Sequence, residues 1–279
     1  MLISLITVCH KSREKIAAYV QSFLEQHSQS DRKLYEFIFV ENSGDRTFYT
    51  AIKPLADSGF DVQLLTSENE GFGRGCNVGA KHAKGDLLIF ANPDIHFLSN
   101  LDVLHQLGLP MAWGTIKQVD EKSRVCSFDL FPEYKGVTFE LLRFYRLVNR
   151  YPDWFLPYAY VVGSFMMVSR SLFTQAGGFD PAFFLYHEEA ELARRLQVIS
   201  GPPVFCEAVS VFHEGFGSHT SHDEILKHEA KGFLTYCAIT HQPALVQKRL
   251  NVFRMLGLVS AASKKRFHIL QSAALSQEN

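Results

Sequence analysis

An α/β fold with a largely parallel central sheet, flanked by helices and followed by a helical C-terminal extension, is what this sequence predicts, on three grounds. Short β-rich runs alternate with amphipathic stretches through the first third of the chain, each run is followed by polar residues, and the tail is helical by period. Leu2–Val8 has the composition of a buried strand. In residues 14–26, Ile16, Tyr19, Val20, Phe23 and Leu24 fall on one helical face, which predicts a helix packed over that strand. Phe37–Val40 and Val62–Leu65 are the predicted second and third strands, residues 75–83 a helix, and Leu87–Phe90 the fourth strand. Ligands of such sheets bind beyond the carboxyl ends of the strands. The residues placed there are Cys9-His10-Lys11-Ser12, Glu41-Asn42-Ser43-Gly44-Asp45 and Ala91-Asn92-Pro93-Asp94, so one polar rim is expected.

Residues 126–160 interrupt the alternation with aromatics, prolines, Arg143, Arg146 and Arg150, and read as an insertion that covers the site or contacts what the site acts on. From Val161 an apolar run leads through Gly177-Gly178 to Phe183-Phe184-Leu185-Tyr186 and then to Glu188, Glu189 and Glu191, which open a helix. Val209–Phe212 is strand-like. Residues 224–270 are helical by period, with basic residues at Lys248, Arg249, Arg254, Lys264, Lys265 and Arg266.

The 279 residues are 47% hydrophobic and 20% charged, with a net charge of −1, which argues against nucleic acid as the main partner. Five cysteines without C-x-x-C spacing read as reduced thiols rather than a disulfide framework or a zinc site. No apolar run reaches the roughly 18 residues of a membrane span, and Met1 leads straight into the first strand, so a cytoplasmic protein is expected.

Four constellations carry chemistry. Asn92-Pro93-Asp94 ends a strand in a turn that presents one carboxylate, which suits a turn by itself and equally a Mg²⁺ or Mn²⁺ ion sharing its shell with phosphate oxygens. The run from Asn69 to Gly79 is a glycine-rich loop entering a helix, where backbone N–H groups are able to meet a diphosphate. It lies too far from the first strand for a dinucleotide fingerprint. Glu188, Glu189 and Glu191 suit the positive end of a helix, and Glu191 with Arg195 makes an i,i+4 pair. The aromatic run before them also makes a partly desolvated setting able to raise a carboxylate toward useful base strength, so one of the three is a candidate general base. His213, after the last strand, is a candidate metal ligand or phosphate contact. His219 and His222 sit in a Ser/Thr/His-rich stretch that reads as a solvated loop.

Taken in order over residues 2–222, these segments resemble the family 2 glycosyltransferases, and within them rhamnosyltransferase-like members. The matching wordings are Val40-Glu41-Asn42-Ser43, Asn69 to Gly79, Asn92-Pro93-Asp94, Gly177-Gly178-Phe179-Asp180 with Glu188-Glu189-Ala190-Glu191-Leu192, and His213 with the glycines after it. Glutamates stand at 41, 189 and 191 where the family usually has aspartates. The resemblance implies a GT-A fold with a Rossmann-like sheet, a transferase domain over 1–222 (nucleotide-sugar half 1–98, acceptor half 99–222 with the insertion 126–160) and a helical extension over 223–279. It implies Glu189 as the catalytic base, Asp94 and His213 at a Mg²⁺ or Mn²⁺ ion, and Thr7, Glu41, Asn69, Gly71, Arg74, Asn77, Asn92, Gly163, Glu188 and Glu191 against substrate. The expected activity is inverting transfer of a sugar from dTDP-rhamnose or a UDP-hexose to a hydroxyl of a glycan or lipid-linked acceptor in surface polysaccharide synthesis. The basic tail suits a solvated helix face or a peripheral contact with the inner face of a membrane. A non-catalytic sugar-nucleotide-binding or scaffold relative, and a sugar nucleotidyltransferase, are the competing readings.

Overall fold

The computed structural model describes residues 1–106, 112–137, 144–215 and 221–276. Arg143, His219 and the segment from Phe216 to Ser218 therefore lie outside the described residues. The strands are β1 (Ile3–Cys9), β2 (Tyr35–Glu41), β3 (Asp61–Thr66), β4 (Leu87–Ala91), β5 (Ile95–Phe97), β6 (Trp113–Val119), β7 (Phe128–Leu130), β8 (Ala159–Val161), β9 (Phe165–Ser169) and β10 (Val204–His213). Eight of them form one sheet in the order β3-β2-β1-β4-β9-β6-β10-β5, while β7 and β8 pair as a separate ribbon. The first four strands are parallel throughout. Beyond β4 the sheet is mixed, because β9 runs antiparallel to both its neighbours and β5 antiparallel to β10.

Both faces of β1 are buried, which explains its unbroken apolar run. Ile3, Leu5 and Cys9 face one core; Ile6 and Val8 face the other. Helices α1 (Arg13–Gln26) and α2 (Tyr49–Asp57) cover the first face, and α1 buries Ile16, Tyr19, Val20 and Phe23 at the expected spacing. Phe23 meets Tyr35, Phe37, Phe60 and Phe97 edge-on, with the closest centroids 4.8 Å apart, and its burial contributes roughly 2–3 kcal/mol. The second face is covered by α3 (Phe72–His82), then, beyond the insertion, by α6 (Arg170–Gln175) and α7 (Glu188–Ser200).

The insertion contains α4 (Tyr145–Arg150) and α5 (Pro152–Phe155), and its ends close on each other through the β7–β8 ribbon. The side chain of Asn149 pairs with both backbone groups of Phe128, at 2.9 and 2.8 Å, and so ties α4 to that ribbon. The C-terminal helices α8 (His222–Ile239), α9 (Ala244–Gly257) and α10 (Ala261–Leu275) share an apolar core of Phe233, Leu234, Val252, Phe253, Leu256 and Leu270. His222, expected in a loop, instead opens α8 behind a reciprocal capping box of Ser221 and Glu224. Phe253 and Leu256 are used in packing, so Met255, Leu258 and Val259 are what the α9–α10 turn exposes. Among the described residues no helix is long and apolar enough to cross a membrane. All five cysteines are free thiols.

Candidate active site

The carboxyl ends of β1 and β2 meet as expected, and the segment after β3 joins them. His10 Nδ1 lies 3.0 Å from Asn42 Oδ1, Asn42 Nδ2 donates to Asn69 Oδ1 at 3.4 Å, and Asn69 Nδ2 lies 3.5 Å from His10 Nδ1. Asn69 thus sits on this rim together with two residues that sequence reasoning left unassigned. Glu41 is buried and its carboxylate turns into its own loop. It accepts from the N–H of Ser43 at 2.8 Å, Gly44 at 2.9 Å and Asp45 at 3.2 Å, and also from the Ser43 hydroxyl. Both of its oxygens are engaged there. Thr7 lies inside β1, two residues before its carboxyl end, and is buried.

The glycine-rich segment proves to be a packing device. Gly75 and Gly79, one helical turn apart on α3, face Val8 and Ile6 of β1. A Cβ on Gly79 would lie 2.4 Å from Ile6 Cγ2, and one on Gly75 2.8 Å from Val8 Cγ1. Gly71 has φ +109°, and a Cβ there would lie 2.3 Å from the carbonyl oxygen of Phe184. Asn77 binds both backbone groups of Phe179, donating to its carbonyl at 2.8 Å and accepting from its N–H at 2.9 Å. Gly178, with φ +73°, leaves room for that side chain. Arg74 donates to the Pro181 carbonyl at 2.9 Å and pairs with Glu70 at 2.7 Å. The two sequence motifs are therefore two sides of one clasp, which joins the halves of the chain.

At the end of β4 the Asn92 N–H donates to the Ser164 carbonyl at 2.9 Å, and Asp94 follows, almost fully buried. Asp94 Oδ1 lies 3.4 Å from His213 Nε2. Burial opposes ionisation of Asp94, but the His213 hydrogen bond and charge, with the charge of Lys15, outweigh it and hold the carboxyl below the ordinary aspartate value. Lys15 is itself held by Glu214 at 3.1 Å, and Glu214 also meets His96 at 3.0 Å. One carboxylate beside one imidazole fits a divalent cation that draws its other ligands from phosphate and water. Among the described residues there is no cluster of three or more His, Cys, Asp or Glu side chains to cage such an ion alone.

Glu189 lies on the first turn of α7, against the turn that contains Gly163; a Cβ built on Gly163 would touch its side chain at 3.6 Å. That turn is fixed from beneath by buried Gln118, which donates to the Phe165 carbonyl at 3.2 Å and the Val162 carbonyl at 3.4 Å and accepts from the Ser164 hydroxyl. Oε2 of Glu189 is buried without a hydrogen-bond partner. Burial pushes its carboxyl up to about 7; the helix N–H groups and Lys135 pull downward, and Asp129 pushes further up. Glu188 is raised too, by burial and then by Glu189, and its own Oε2 lacks a partner. Glu191 is different, since Arg195 holds it at 2.7 and 2.5 Å. Arg195 also donates to the Ala176 carbonyl, so this pair ties α7 to α6.

A cavity of about 400 Å³ lies between the insertion, the start of α7 and the C-terminal helices. Val162, His187, His213, Asp129 and Lys135 form its inner side, and Phe233, Arg249 and Phe253 of the C-terminal helices form its roof. Of the predicted site residues, His213 lines this cavity with Asp94 3.4 Å from it, Glu189 lies against Gly163 beside the cavity-lining Asp129 and Lys135, and Asn69 is on the rim. Gly71, Arg74, Asn77 and Glu191 make the close contacts and hydrogen bonds just described. Asp129, Lys135 and Lys15 were missed, for they carry no motif and reach the site only through the folding of the insertion and α1; His187 was missed although it directly precedes Glu188.

The glycosyl transferase family 2 model matches residues 4–176. Two curated relatives, the N-acetylglucosaminyl-diphospho-decaprenol L-rhamnosyltransferases of Mycobacterium tuberculosis strains CDC 1551 and H37Rv, are 37% identical over 57 residues. That match spans only about a fifth of each, 20% of this chain and 19% of theirs. Among solved structures, a mannosyltransferase from Pyrobaculum calidifontis in complex with GDP-Man and Mn²⁺ superposes with a TM-score of 0.60 at 15% identity, covering 98% of this chain and 75% of that one. S. aureus TarS 1–349 in complex with UDP gives 0.55 at 13% identity, over 92% and 71%. These likenesses establish the GT-A architecture, with its mixed sheet and C-terminal helices. With the family model covering more than half of its length, the chain belongs to glycosyl transferase family 2.

Proposed function

We propose that this protein is an inverting glycosyltransferase. It takes a sugar from dTDP-rhamnose or a UDP-hexose and transfers it to a hydroxyl of a glycan or lipid-linked acceptor in surface polysaccharide synthesis. Residues 1–222 are the transferase domain and 223–279 its helical extension, at the cytoplasmic face of the membrane, with the exposed α9–α10 turn as a peripheral contact. The observation that carries the reading is the buried, unpartnered, proton-seeking oxygen of Glu189, whose charged neighbours Asp129 and Lys135 line the same cavity as His213, the partner of Asp94.

In the proposed step the acceptor oxygen forms a bond to the anomeric carbon while the bond to the diphosphate breaks, and the diphosphate leaves with the electron pair. The hydroxyl proton passes to Glu189, which burial has made basic enough to receive it near neutral pH. Asp94 and His213 would hold a Mg²⁺ or Mn²⁺ ion, which when bound supplies positive charge for the leaving diphosphate. Lys15 adds its charge to the same side. Gly163 and the Gln118 network keep the wall opposite Glu189 close and rigid, and positioning of this kind supplies much of the rate. A nucleotidyltransferase would need a phosphate loop after β1, where Cys9-His10-Lys11-Ser12 stands instead.

Calorimetric titration of UDP, dTDP and GDP, with and without Mn²⁺ or Mg²⁺, tests the donor site. One nucleotide is expected to bind in a metal-dependent manner and to weaken at least tenfold in Asp94→Ala. If none of the three binds under either metal, the transferase reading is lost.

A further inference from the structure

Tyr186 and His187 are consecutive non-glycine residues in the left-handed region, with φ of +70° and +69°, immediately before Glu188 and Glu189. Conformations of that kind are strained, and two in series persist only where the surroundings over-determine them. The surroundings here belong to α8. Gly232 approaches so closely that a Cβ would lie 2.3 Å from the carbonyl oxygen of Tyr186 and 2.9 Å from that of Leu185. The next residue, Phe233, places its ring 5.7 Å from the His187 ring, and Tyr236, one turn on, places its own at 6.1 Å. The Tyr236 hydroxyl donates to Glu133 at 3.0 Å and accepts from Arg194 of α7 at 3.3 Å, so α8 grips both the turn and the helix that carries Glu189.

We propose that helix α8 is a working part of the active site: the absence of a side chain at Gly232, with the rings of Phe233 and Tyr236, holds the left-handed Tyr186–His187 turn and through it aims Glu189. This rests on Glu189 being the base. Gly232 is a positioning residue, acting through the turn and not on substrate. The C-terminal extension is then required for catalysis even though the family model ends at residue 176.

Gly232→Ala is the test, because its methyl group must displace the turn. Backbone hydrogen exchange needs no substrate; it is expected to quicken over residues 185–190 and to stay unchanged over β1 and β4. With dTDP-rhamnose, UDP-glucose and GDP-mannose offered in turn and released nucleoside diphosphate as the readout, kcat is expected to fall at least tenfold while the donor KM stays within twofold. Unchanged exchange at 185–190 overturns the proposal. So does a folded variant with parental kcat, or one that loses donor binding in parallel, which is what general damage produces. Should Gly232→Ala fail to fold, Phe233→Leu, which keeps the apolar packing and removes the ring beside His187, carries the same expectations. Glu189→Gln separates the two readings. If it transfers at the parental rate the base assignment fails; if it is inactive while Gly232→Ala is unimpaired, only the role of α8 fails.

Discussion

Glu189 and Glu191 stand two positions apart on the same first turn, and the contrast between them shows what a residue's type leaves open. Both are glutamates at a helix N-terminus, but Glu191 spends both oxygens on Arg195, whereas Glu189 keeps Oε2 buried and unpaired. The i,i+4 spacing to Arg195 was legible in the chain; the isolation of Glu189 was not, because Asp129, Lys135 and Gly163 come to it from distant segments. The raised carboxyl makes function and stability oppose each other at this residue. Between the ordinary glutamate value of 4.5 and about 7 the unfolded chain is ionised while the folded protein keeps its proton, so stability falls as pH rises through that window. Above it, folding has lost on the order of 3 kcal/mol to this group. Glu189→Gln is therefore expected to slow transfer at least a hundredfold and to raise the unfolding temperature at pH 8, with little change at pH 4.5. Thermal melts at the two pH values, beside an activity assay, check both halves; a variant less stable at pH 8 would show that the carboxylate is solvated or paired.

The pairing of α3 with β1 shows how an element was read correctly in kind and incompletely in purpose. A helix was expected over residues 75–83 with its glycines turned to a ligand; it starts at Phe72, and Gly75 and Gly79 let it settle on Val8 and Ile6. Three glycines in eleven residues weaken the helical pattern, so its first turn was not visible. The purpose of the glycines depends on a strand far away in sequence. In Gly79→Ala the methyl group must displace Ile6 at a cost of about 2–3 kcal/mol, while better helix propensity returns about 1 kcal/mol. A net loss of about 1–2 kcal/mol is expected in denaturant unfolding. A variant as stable as the parent would mean that α3 lifts from the sheet without penalty, and the clasp of Asn77 on Phe179 would lose its rigid base.

For the molecule as a whole, the parallel first half was legible from alternation alone, since each helix there covers the strands on either side of it. The second half was not, because β9, β6, β10 and β5 are neighbours out of chain order and two of them run in reverse. What joins the halves on the α1 face includes His27 at the end of α1. Its ring stacks on Phe23, its Nδ1–H donates to the Phe23 carbonyl at 2.8 Å, and its Nε2 accepts from the N–H of Leu101, beyond β5, at 2.8 Å. Only the neutral ring makes both bonds, and burial lowers its pKa to about 4. The unfolded chain takes up this proton from pH 6.5 downward and the folded protein only near 4, so the stabilisation is complete above 6.5 and is lost as pH falls to 4. His187, lowered to about 3 by burial, has the same sign and Glu189 the opposite one, so the parent's overall pH profile mixes them. The difference between the parent and His27→Leu isolates the one group. At pH 7.5 the variant leaves the Leu101 N–H buried without an acceptor and is expected to be about 2 kcal/mol less stable. That gap should close between pH 6.5 and 4, as the parent loses an interaction the variant never had. A gap that stays constant across this range, in urea unfolding at matched pH values, would show that His27 is not held neutral and that the two halves are joined by packing alone.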